Sequence, residues 1–343
     1  MKKVLITGVT GQDGSHMCDY LLKNTNFKIY GAIRRLSVKN HDNILHLEKE
    51  NRFSLINLDL GDAHSIRDCI IDIQPDFFIN FAAQSFVAGS WDYPIQTWET
   101  DSNAVLHILE SIRRFSPHCR FYNAGSSEEF GDVIYSPQNE SHPLLPQSPY
   151  GAAKCAARHI VRVYRESYGL FAIQGWLFNH EGTRRGLDFV TRKITHSIAK
   201  IKTSIEKNKP IPVLRLGNID AKRDWSDAED FMSGVWLMLN QNSPKNYVLA
   251  SGEMHTVREF LEICLNHAKI HFETKGANED EKFFDSSGNL ICEIDPNFYR
   301  PAEVHKLCGD PSLAESELGW KRKTNFKSLV KKMYDNDYKI LNS

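Results

Sequence analysis

The sequence predicts an α/β fold, a doubly wound parallel sheet with a smaller, interleaved C-terminal lobe. Short apolar runs alternate with amphipathic helical segments through the first half of the chain, which is typical of a parallel sheet covered by helices on both faces. The length of 343 residues exceeds that of one ordinary domain. The alternation loosens later without a flexible linker, so we expect residues 1–178 mainly in the first lobe and 179–343 mainly in the second.

The strands predicted for the first lobe are apolar runs bounded by turn-forming residues. They are KVLIT, KIYGAI, FSLINL, DFFINFA, RFYNA and FAIQGWLF, at 3–7, 28–33, 53–58, 76–82, 120–124 and 171–178. Helical spacing of apolar residues predicts helices at 11–24, 63–73, 97–115, 150–169, 189–206, 228–240, 256–267 and 325–337. The charged segment 275–289 is predicted to be a solvated hairpin or loop.

Composition and charge exclude several classes of partner. The net charge of -1 gives no bulk attraction for nucleic acid or for an anionic membrane. No apolar run reaches the length of a membrane span, and the run after the first lysines is too short for a signal peptide. The seven cysteines are scattered without a C-x-x-C pair, so we expect no metal site and reduced thiols in the cytoplasm.

The segment TGVTGQDG, at 7–14, joins the first strand to the first helix. Its glycines, Gly8, Gly11 and Gly14, would allow the backbone to approach a pyrophosphate at the helix N-terminus. The spacing is G-x-x-G-x-x-G rather than the commoner G-x-G-x-x-G, and a glycine-rich turn without a ligand is the alternative. In this strand–helix context the loop predicts a Rossmann-type dinucleotide-binding lobe.

The end of the second predicted strand favours NADP over NAD. An acid commonly holds the ribose 2′-hydroxyl of NAD at this position, but Arg34 and Arg35 stand here and would accept a 2′-phosphate. A surface basic pair is the alternative. Asp59 follows the third strand, where it could meet adenine, and the small residues of 81–85 would let the backbone lie along the nicotinamide ribose.

Tyr150 and Lys154 are the first candidate catalytic pair. Their i, i+4 spacing places both side chains on one helix face. An ammonium group near a phenol favours the phenolate, which can take a proton from a sugar or alcohol hydroxyl while hydride leaves the same carbon. The Y-x-x-x-K pattern recurs by chance, but here it follows a dinucleotide loop and a strand-end hydroxyl, Ser126, in the order of short-chain dehydrogenases.

The strand-end segment FYNAGSSEEFGD, at 121–132, carries two neighbouring glutamates, Glu128 and Glu129. In an extended segment neighbouring side chains point to opposite sides, so only one of them can face a substrate. Two solvated glutamates without a chemical role are the alternative, because acidic side chains are mostly exposed.

Several segments resemble the GDP-mannose 4,6-dehydratase family of the extended short-chain dehydrogenase/reductase superfamily, over about residues 3 to 335. They are GVTGQDGS, AAQSFV, SSE, SPYGAAK, LFNHEGTRRG, FVTRKI, LGNIDAKRDW, ASGEMHTVREF and YRPAEV. The resemblance implies an NADP-dependent hydro-lyase acting on a GDP-sugar. It also selects Glu128 over Glu129, because the family pattern T-S-E matches residues 126–128.

The resemblance also implies a mechanism. Tyr150 takes the O4 proton while the C4 hydride goes to NADP, and Ser126 hydrogen-bonds O4. The resulting ketone acidifies the C5 proton, which Glu128 removes as the C6 hydroxyl leaves as water. Hydride then returns to C6, giving a 4-keto-6-deoxy sugar. Lys154 holds the nicotinamide ribose and tunes Tyr150.

The site residues expected in this way fall into two groups. The cofactor group is Gly8, Thr10, Gly11, Gln12, Asp13, Gly14, Arg34, Arg35, Asp59, Leu60, Ala82, Gln84, Ser85, Tyr150, Lys154, His180 and Arg185. The substrate group is Ser85, Ser126, Glu128, Asn179, Lys193, Leu216, Gly217, Lys222, Arg223, Arg300 and Glu303. Cations of the second half suit a diphosphate, although a surface ion pair is the alternative for each.

The chain departs from the family pattern near the site. The family often has threonine at Ser126 and serine at Gly125, and SSEEFG replaces the form TSELYG. A slightly larger pocket keeps a GDP-manno-heptose open as substrate. A GDP-sugar C4 dehydrogenase, reductase or epimerase would leave Glu128 without a role, and a non-enzymatic subunit would not need the intact Tyr150–Lys154 pair. The family further suggests a homotetramer, with the loop 35–43 reaching a neighbouring cofactor site.

Overall fold

The computed structural model describes residues 1–35, 37–38, 40–299 and 307–343. The strands are β1 Lys3–Thr7, β2 Lys28–Ile33, β3 Phe53–Asn57, β4 Phe77–Asn80, β5 Arg120–Ala124, β6 Ala172–Leu177, β7 Asn179–Glu181, β8 Leu214–Leu216, β9 Lys222–Arg223, β10 Trp225–Asp227, β11 Val248–Leu249, β12 His255–Thr256, β13 Phe272–Lys275, β14 Lys282–Asp285 and β15 Leu290–Ile294.

The α-helices are α1 Gln12–Asn24, α2 Ala63–Ile73, α3 Gly89–Asp92, α4 Pro94–Trp98, α5 Ala104–Phe115, α6 Pro149–Tyr168, α7 Val190–Glu206, α8 Ala228–Leu239, α9 Val257–His267, α10 Ser312–Leu318 and α11 Phe326–Asn342. A π-helical turn, Glu99–Asn103, joins α4 to α5. Short 3-10 turns lie at Asp42–Leu47, Ser127–Glu129, Asn278–Asp280 and Pro296–Phe298. No helix in the described ranges is long and apolar enough to cross a membrane.

The main sheet of the described chain has seven strands in the order β11-β6-β5-β4-β1-β2-β3. All its pairings are parallel, and β1 lies between β2 and β4. The chain therefore builds outward from β1 in one direction and then outward from β4 in the other. This arrangement confirms the predicted doubly wound sheet, and its switch point lies beside the glycine-rich loop.

The central strand β1 supplies both faces of the sheet. Val4 and Ile6 belong to the apolar core formed with α1 and α8, whereas Leu5 belongs to the core formed with α2, α5 and α6. Alternation of side chains along a strand produces this division. Parts of the second half complete the first core, because Leu249 of β11 and Trp320 are buried in it.

The second lobe has a small sheet, β13-β14-β15-β8, packed with α7, α9 and α11. The segment predicted as a solvated hairpin or loop, 275–289, contributes β14 to this sheet. β14 pairs antiparallel with β15, which confirms the hairpin, but Phe283 is fully buried in the lobe core, so the prediction of a solvated segment is wrong for that residue.

Candidate active site

A cavity of about 710 Å³ lies at the carboxyl edge of the main sheet, where ligands of parallel sheets commonly bind. Loops after β1, β4 and β5 form one wall, and segments of the second lobe form the other. The cavity brings together many of the predicted residues: Gly8, Thr10, Gly11, Gln12, Asp13, Gly14, Ser85, Ser126, Glu128, Tyr150, Lys154, Asn179, His180, Arg185, Lys193, Leu216, Gly217 and Arg223.

The glycine-rich loop has the shape that a dinucleotide requires. Gly8 has a φ of +69°, and a Cβ there would lie 2.8 Å from the backbone nitrogen of Ala82. A Cβ at Gly14 would lie 2.4 Å from the carbonyl oxygen of Gly8. Gly11 is the N-cap of α1 and offers no side chain to its first N–H groups. Because Gly8 and Gly14 have no room for a side chain and no side chain caps the helix start, the site fits a pyrophosphate.

Asp13 and His180 form an ion pair between the start of α1 and β7. Their Oδ2 and Nε2 atoms are 2.9 Å apart, and the other ring nitrogen of His180 hydrogen-bonds the carbonyl of Phe178 at 2.7 Å. Burial alone would raise the pKa of Asp13, but the charge and hydrogen bond of His180 hold that pKa well below its ordinary range. Burial lowers the pKa of His180, and Asp13 more than reverses this effect. The pair fixes the loop against the second half of the chain.

Helix α6 positions Tyr150 and Lys154. Its N-cap, Ser148, accepts a hydrogen bond from the backbone of Gly151 at 3.0 Å, so the helix begins immediately before the pair. Both side chains are buried at the cavity wall. Lys154 Nζ lies 5.7 Å from the centroid of the Tyr150 ring and donates to the carbonyl oxygen of Ala124 at 3.1 Å. The lysine thus ties α6 to the end of β5.

The side chains around Tyr150 do not by themselves favour its phenolate. Burial raises the pKa of the phenol well above its ordinary value, and the charge of Asp101 raises it further. A hydrogen bond with Ser126 acts in the opposite direction. The sequence predicted that Lys154 lowers the pKa of Tyr150. The protein around Tyr150 raises that pKa instead. The physical reason is that the phenol has lost its water, while the ammonium is directed at the Ala124 carbonyl.

Glu128 and Glu129 occupy different environments, as expected, but for a different reason. The segment is a 3-10 turn rather than an extended strand, and Ser126 is its N-cap, with Oγ accepting from the Glu128 N–H at 3.2 Å. Glu128 lies on the cavity wall. Glu129 is fully buried and pairs with Arg158 of α6. The alternative of two solvated glutamates is therefore wrong for Glu129.

The second-lobe wall carries cations beside aromatic rings. Lys193 Nζ lies 3.6 Å from the ring centroid of Phe298, and the Arg185 guanidinium lies 3.5 Å from that of Phe189. Burial lowers the pKa of Lys193, and the Asp295 carboxylate opposes this. Cations partly covered in this way attract phosphate more strongly than fully solvated ones, because less water must be displaced.

Some predicted residues are not part of the cavity wall: Arg34, Arg35, Asp59, Leu60, Ala82, Gln84 and Lys222. Arg34, Arg35 and Asp59 are exposed beyond β2 and β3, at the same edge of the sheet. Lys222 is exposed, and its carbonyl accepts a hydrogen bond from Arg223 at 2.7 Å. Arg300 and Glu303 lie outside the described residues.

Asp101 is a site residue that the sequence reasoning missed. It is buried in the π-helical turn, and its Oδ1 accepts the backbone N–H of Gln84 at 2.8 Å. Burial raises the pKa of Asp101 to about 6, and the nearby Lys154 ammonium opposes the shift. Its Oδ2 has no hydrogen-bond partner in the described parts of the chain. The sequence carried no signal for it, since an aspartate within a helical pattern is ordinarily exposed.

Comparisons with known proteins identify the family. The sequence model described as GDP-mannose 4,6 dehydratase matches residues 5–333. A GDP-mannose 4,6 dehydratase of Drosophila melanogaster is 42% identical, over 99% of this chain and 87% of that protein.

Solved structures share the fold at lower identity. The dTDP-glucose 4,6-dehydratase of Bacillus anthracis, in complex with NAD, superposes with a TM-score of 0.80 at 19% identity, covering 99% of this chain and 97% of that one. RMD of Pseudomonas aeruginosa, complexed with NADPH, gives a TM-score of 0.77 at 21% identity, covering 99% and 100%. With the sequence match over nearly its whole length, the chain belongs to the GDP-mannose 4,6-dehydratase family.

Proposed function

We propose that the chain is a hydro-lyase that converts GDP-mannose to its 4-keto-6-deoxy derivative, with Glu128 as the base that distinguishes it from epimerases and reductases. The observation that carries the proposal is the position of Glu128. It lies on the cavity wall in the same turn as Ser126, whereas its neighbour Glu129 is withdrawn into the protein. The relatives' activity and the match over nearly the full chain support the same reaction.

NADP is the proposed cofactor. When bound, it supplies a hydride acceptor at C4, a positive charge near the reacting atoms and the hydride that returns to C6. The glycine-rich loop fits its pyrophosphate, and Arg34 and Arg35 at the end of β2 suit a 2′-phosphate. Of the structural relatives, the dehydratase of Bacillus anthracis has NAD and RMD has NADPH. The two arginines favour NADP for this chain.

Tyr150 is proposed to take the proton from O4 of the hexose. Burial disfavours its phenolate, and the hydrogen bond with Ser126 favours it. Lys154 is anchored at the Ala124 carbonyl and contributes a nearby positive charge. Further positive charge in the cavity would favour the phenolate, which ties proton removal to the assembled complex.

Glu128 is proposed to act after C4 has become a ketone. The ketone acidifies the C5 proton, and the Glu128 carboxylate accepts it. As the C5–C6 double bond forms, the C6–O bond breaks, and the proton passes to the departing oxygen so that water leaves. C6 then receives the hydride, and C5 receives one proton. This proton balances the one that O4 lost. The overall change is the loss of one water without net oxidation.

The second lobe is proposed to hold the nucleotide. Lys193, Arg223 and Asn179 line the cavity where a diphosphate would lie, and arginine's fork suits phosphate oxygens. In this division residues 1–178 mainly bind NADP and residues 179–343 mainly bind the GDP-sugar. A cytoplasmic location and a homotetramer are part of the proposal on the strength of the family, and the seven free thiols are consistent with a reducing compartment.

Mass spectrometry after incubation with GDP-mannose tests the proposal. Without added NADPH, we expect a product lighter by one water. A parallel incubation with a GDP-manno-heptose tests the size of the pocket. Reaction of the heptose alone would assign the enzyme to that sugar, and unchanged mass for both sugars would contradict a dehydratase.

The variant Glu128→Gln tests the role of the base. We expect turnover to fall at least about a hundredfold, within the range that a general base contributes. Glu166→Gln, on the exposed face of α6, is the matched control and should keep wild-type turnover. A C4 dehydrogenase or epimerase would survive Glu128→Gln, so retained activity would refute the assigned chemistry.

A further inference from the structure

A row of buried polar side chains crosses the main sheet beneath the cavity. Thr7, Asn80 and Asn123 stand near the carboxyl ends of β1, β4 and β5, Gln174 stands opposite Asn123 in the middle of β6, and each is nearly inaccessible to water. Thr7 Oγ1 donates to Asn80 Oδ1 at 2.6 Å, and Asn80 Nδ2 donates to Asn123 Oδ1 at 2.7 Å. Asn123 Nδ2 then donates to Gln174 Oε1 at 2.8 Å. The row is called the amide ladder below.

The amide ladder ends on Glu129, and this carboxylate fixes the direction in which the donors of the ladder point. Gln174 Nε2 donates to Glu129 Oε1 at 3.1 Å, and a carboxylate can only accept. At the other end Thr7 Oγ1 accepts the N–H of Ala82 at 3.2 Å, so its own proton points along the row. Every donor therefore points from the loop after β4 towards Glu129. Reversing any amide would place two oxygens or two NH₂ groups against each other in a dry interior.

Glu129 passes this constraint to the catalytic turn. Its Oε1 accepts the backbone N–H of Ser126 at 2.8 Å, and Ser126 Oγ accepts the N–H of Glu128 at 3.2 Å. Both carboxylate oxygens also accept hydrogen bonds from Arg158, whose guanidinium lies 3.5 Å from the ring centroid of Trp176. The buried Glu129 carboxylate thus holds the turn that carries the proposed base, Glu128.

Gly125 is explained by the same arrangement. A Cβ at this position would lie 2.6 Å from a nitrogen of Arg158 and 2.7 Å from Glu129 Oε1. The serine that the family often has at this position would overlap the buried pair. The buried Glu129–Arg158 pair therefore fits only because residue 125 has no side chain.

We propose that Glu129, held by Arg158 and by the amide ladder, is a positioning residue that orients the Ser126–Glu128 turn for removal of the C5 proton. The inference rests on the proposed function. The placement of Glu129 favours a role in positioning the Ser126–Glu128 turn over a role in stabilising the fold. A buried ion pair usually adds little net stability over apolar side chains of the same size, but here one partner is bonded directly to the backbone of the catalytic turn.

The test replaces the pair by apolar residues of similar size, Glu129→Leu with Arg158→Met. Such replacements are commonly neutral or stabilising for the ion pair itself. Ser126 N–H loses its acceptor, Gln174 Nε2 keeps only the Lys154 carbonyl, and the Gln174 carbonyl loses the Arg158 donor, so we expect a lower thermal midpoint of unfolding in a protein that still folds. We expect kcat on GDP-mannose to fall about tenfold or more, with KM changed by less than about threefold, as for misplacement of a reacting group.

A second readout separates positioning from structural damage. If removal of the C5 proton alone is slowed, hydride has already left C4 but has not returned, and reduced cofactor accumulates during turnover. Its near-ultraviolet absorbance should rise in the variant relative to wild type. Unchanged kcat, or a fall in kcat without this rise, would overturn the inference.

Gln174→Met is the second variant, and it decides the question if the double variant does not fold. It removes the hydrogen bonds that the Gln174 side chain makes with Asn123, Glu129 and the Lys154 carbonyl and leaves the ion pair, so the same accumulation should appear at a smaller amplitude. No accumulation in a folded Gln174→Met protein would overturn the role of the ladder. If wild type itself releases no water from GDP-mannose, the proposed function fails, and this inference with it.

Discussion

Asp101→Asn should change how the stability of the protein depends on pH. Burial raises the pKa of Asp101 from 3.8 to about 6. Between these values the unfolded chain has already lost the proton that the folded protein still holds, so rising pH favours unfolding. Each pKa unit corresponds to about 1.4 kcal/mol, which makes the folded wild type roughly 3 kcal/mol less stable above pH 6 than below pH 4, relative to a neutral side chain.

The asparagine keeps an oxygen for the Gln84 N–H, now 2.8 Å from Oδ1. Its amide nitrogen would replace an oxygen that has no partner in the described residues, and the cost of that change does not depend on pH. The pH-dependent part of the difference therefore belongs to the titration of Asp101.

Thermal unfolding of wild type and Asp101→Asn across about pH 4 to 7 measures the effect. We expect the thermal midpoint of the variant to rise relative to that of wild type as pH increases. The difference between the two midpoints should change by on the order of 5 °C over this pH range. Asp72→Asn, at an exposed carboxylate of α2, is the control and should give a nearly constant difference. A constant difference for Asp101→Asn as well would refute the raised pKa.

Three further predictions follow from the described contacts. Gly125→Ala should lower stability by about 1–3 kcal/mol, because its Cβ would lie 2.3 Å from a backbone oxygen of the neighbouring strand; an unchanged thermal midpoint would contradict this. Asp337→Asn should cost about 1–3 kcal/mol in denaturant unfolding, because half-buried Arg192 loses its charged partner and keeps only its bonds to the Thr183 and Arg185 carbonyls, and an unchanged stability would contradict the pairing. Replacing Arg34 and Arg35 by serine should weaken NADP binding about tenfold and leave NAD binding unchanged, and equal losses for both cofactors would argue against a 2′-phosphate site.

The sequence was most informative where burial and local pattern agree. The strands Lys3–Thr7, Lys28–Ile33 and Arg120–Ala124 have the predicted bounds, because each is an apolar run that stops at turn-forming residues. The helix predicted at 97–115 instead begins within Pro94–Trp98 and passes through a π-helical turn, Glu99–Asn103. The π-helical turn depends on packing around Asp101, and the local spacing of apolar residues does not predict such packing.

Long-range pairing accounts for the rest. Glu129 is acidic and would ordinarily be exposed, but Arg158, 29 residues later, and Gln174 both donate to its carboxylate and make its burial possible. Strand Val248–Leu249 is too short to give a strand signal, and it forms because β6 offers an unpaired edge. The gathering of the glycine-rich loop, Glu128 and the second-lobe cations at one cavity was expected from the rule for parallel sheets and from family resemblance, while their individual roles remain predictions.

The late completion of the main sheet has a consequence for synthesis on the ribosome. Val248–Leu249 covers the edge of β6, and Trp320 closes the apolar core that begins with Val4. A nascent chain that has emerged only as far as residue 178 would present an open strand edge and a half-covered apolar face. The two halves therefore have to fold as one unit, and a ribosome that stalls midway would release a fragment prone to aggregate rather than a stable dinucleotide-binding domain.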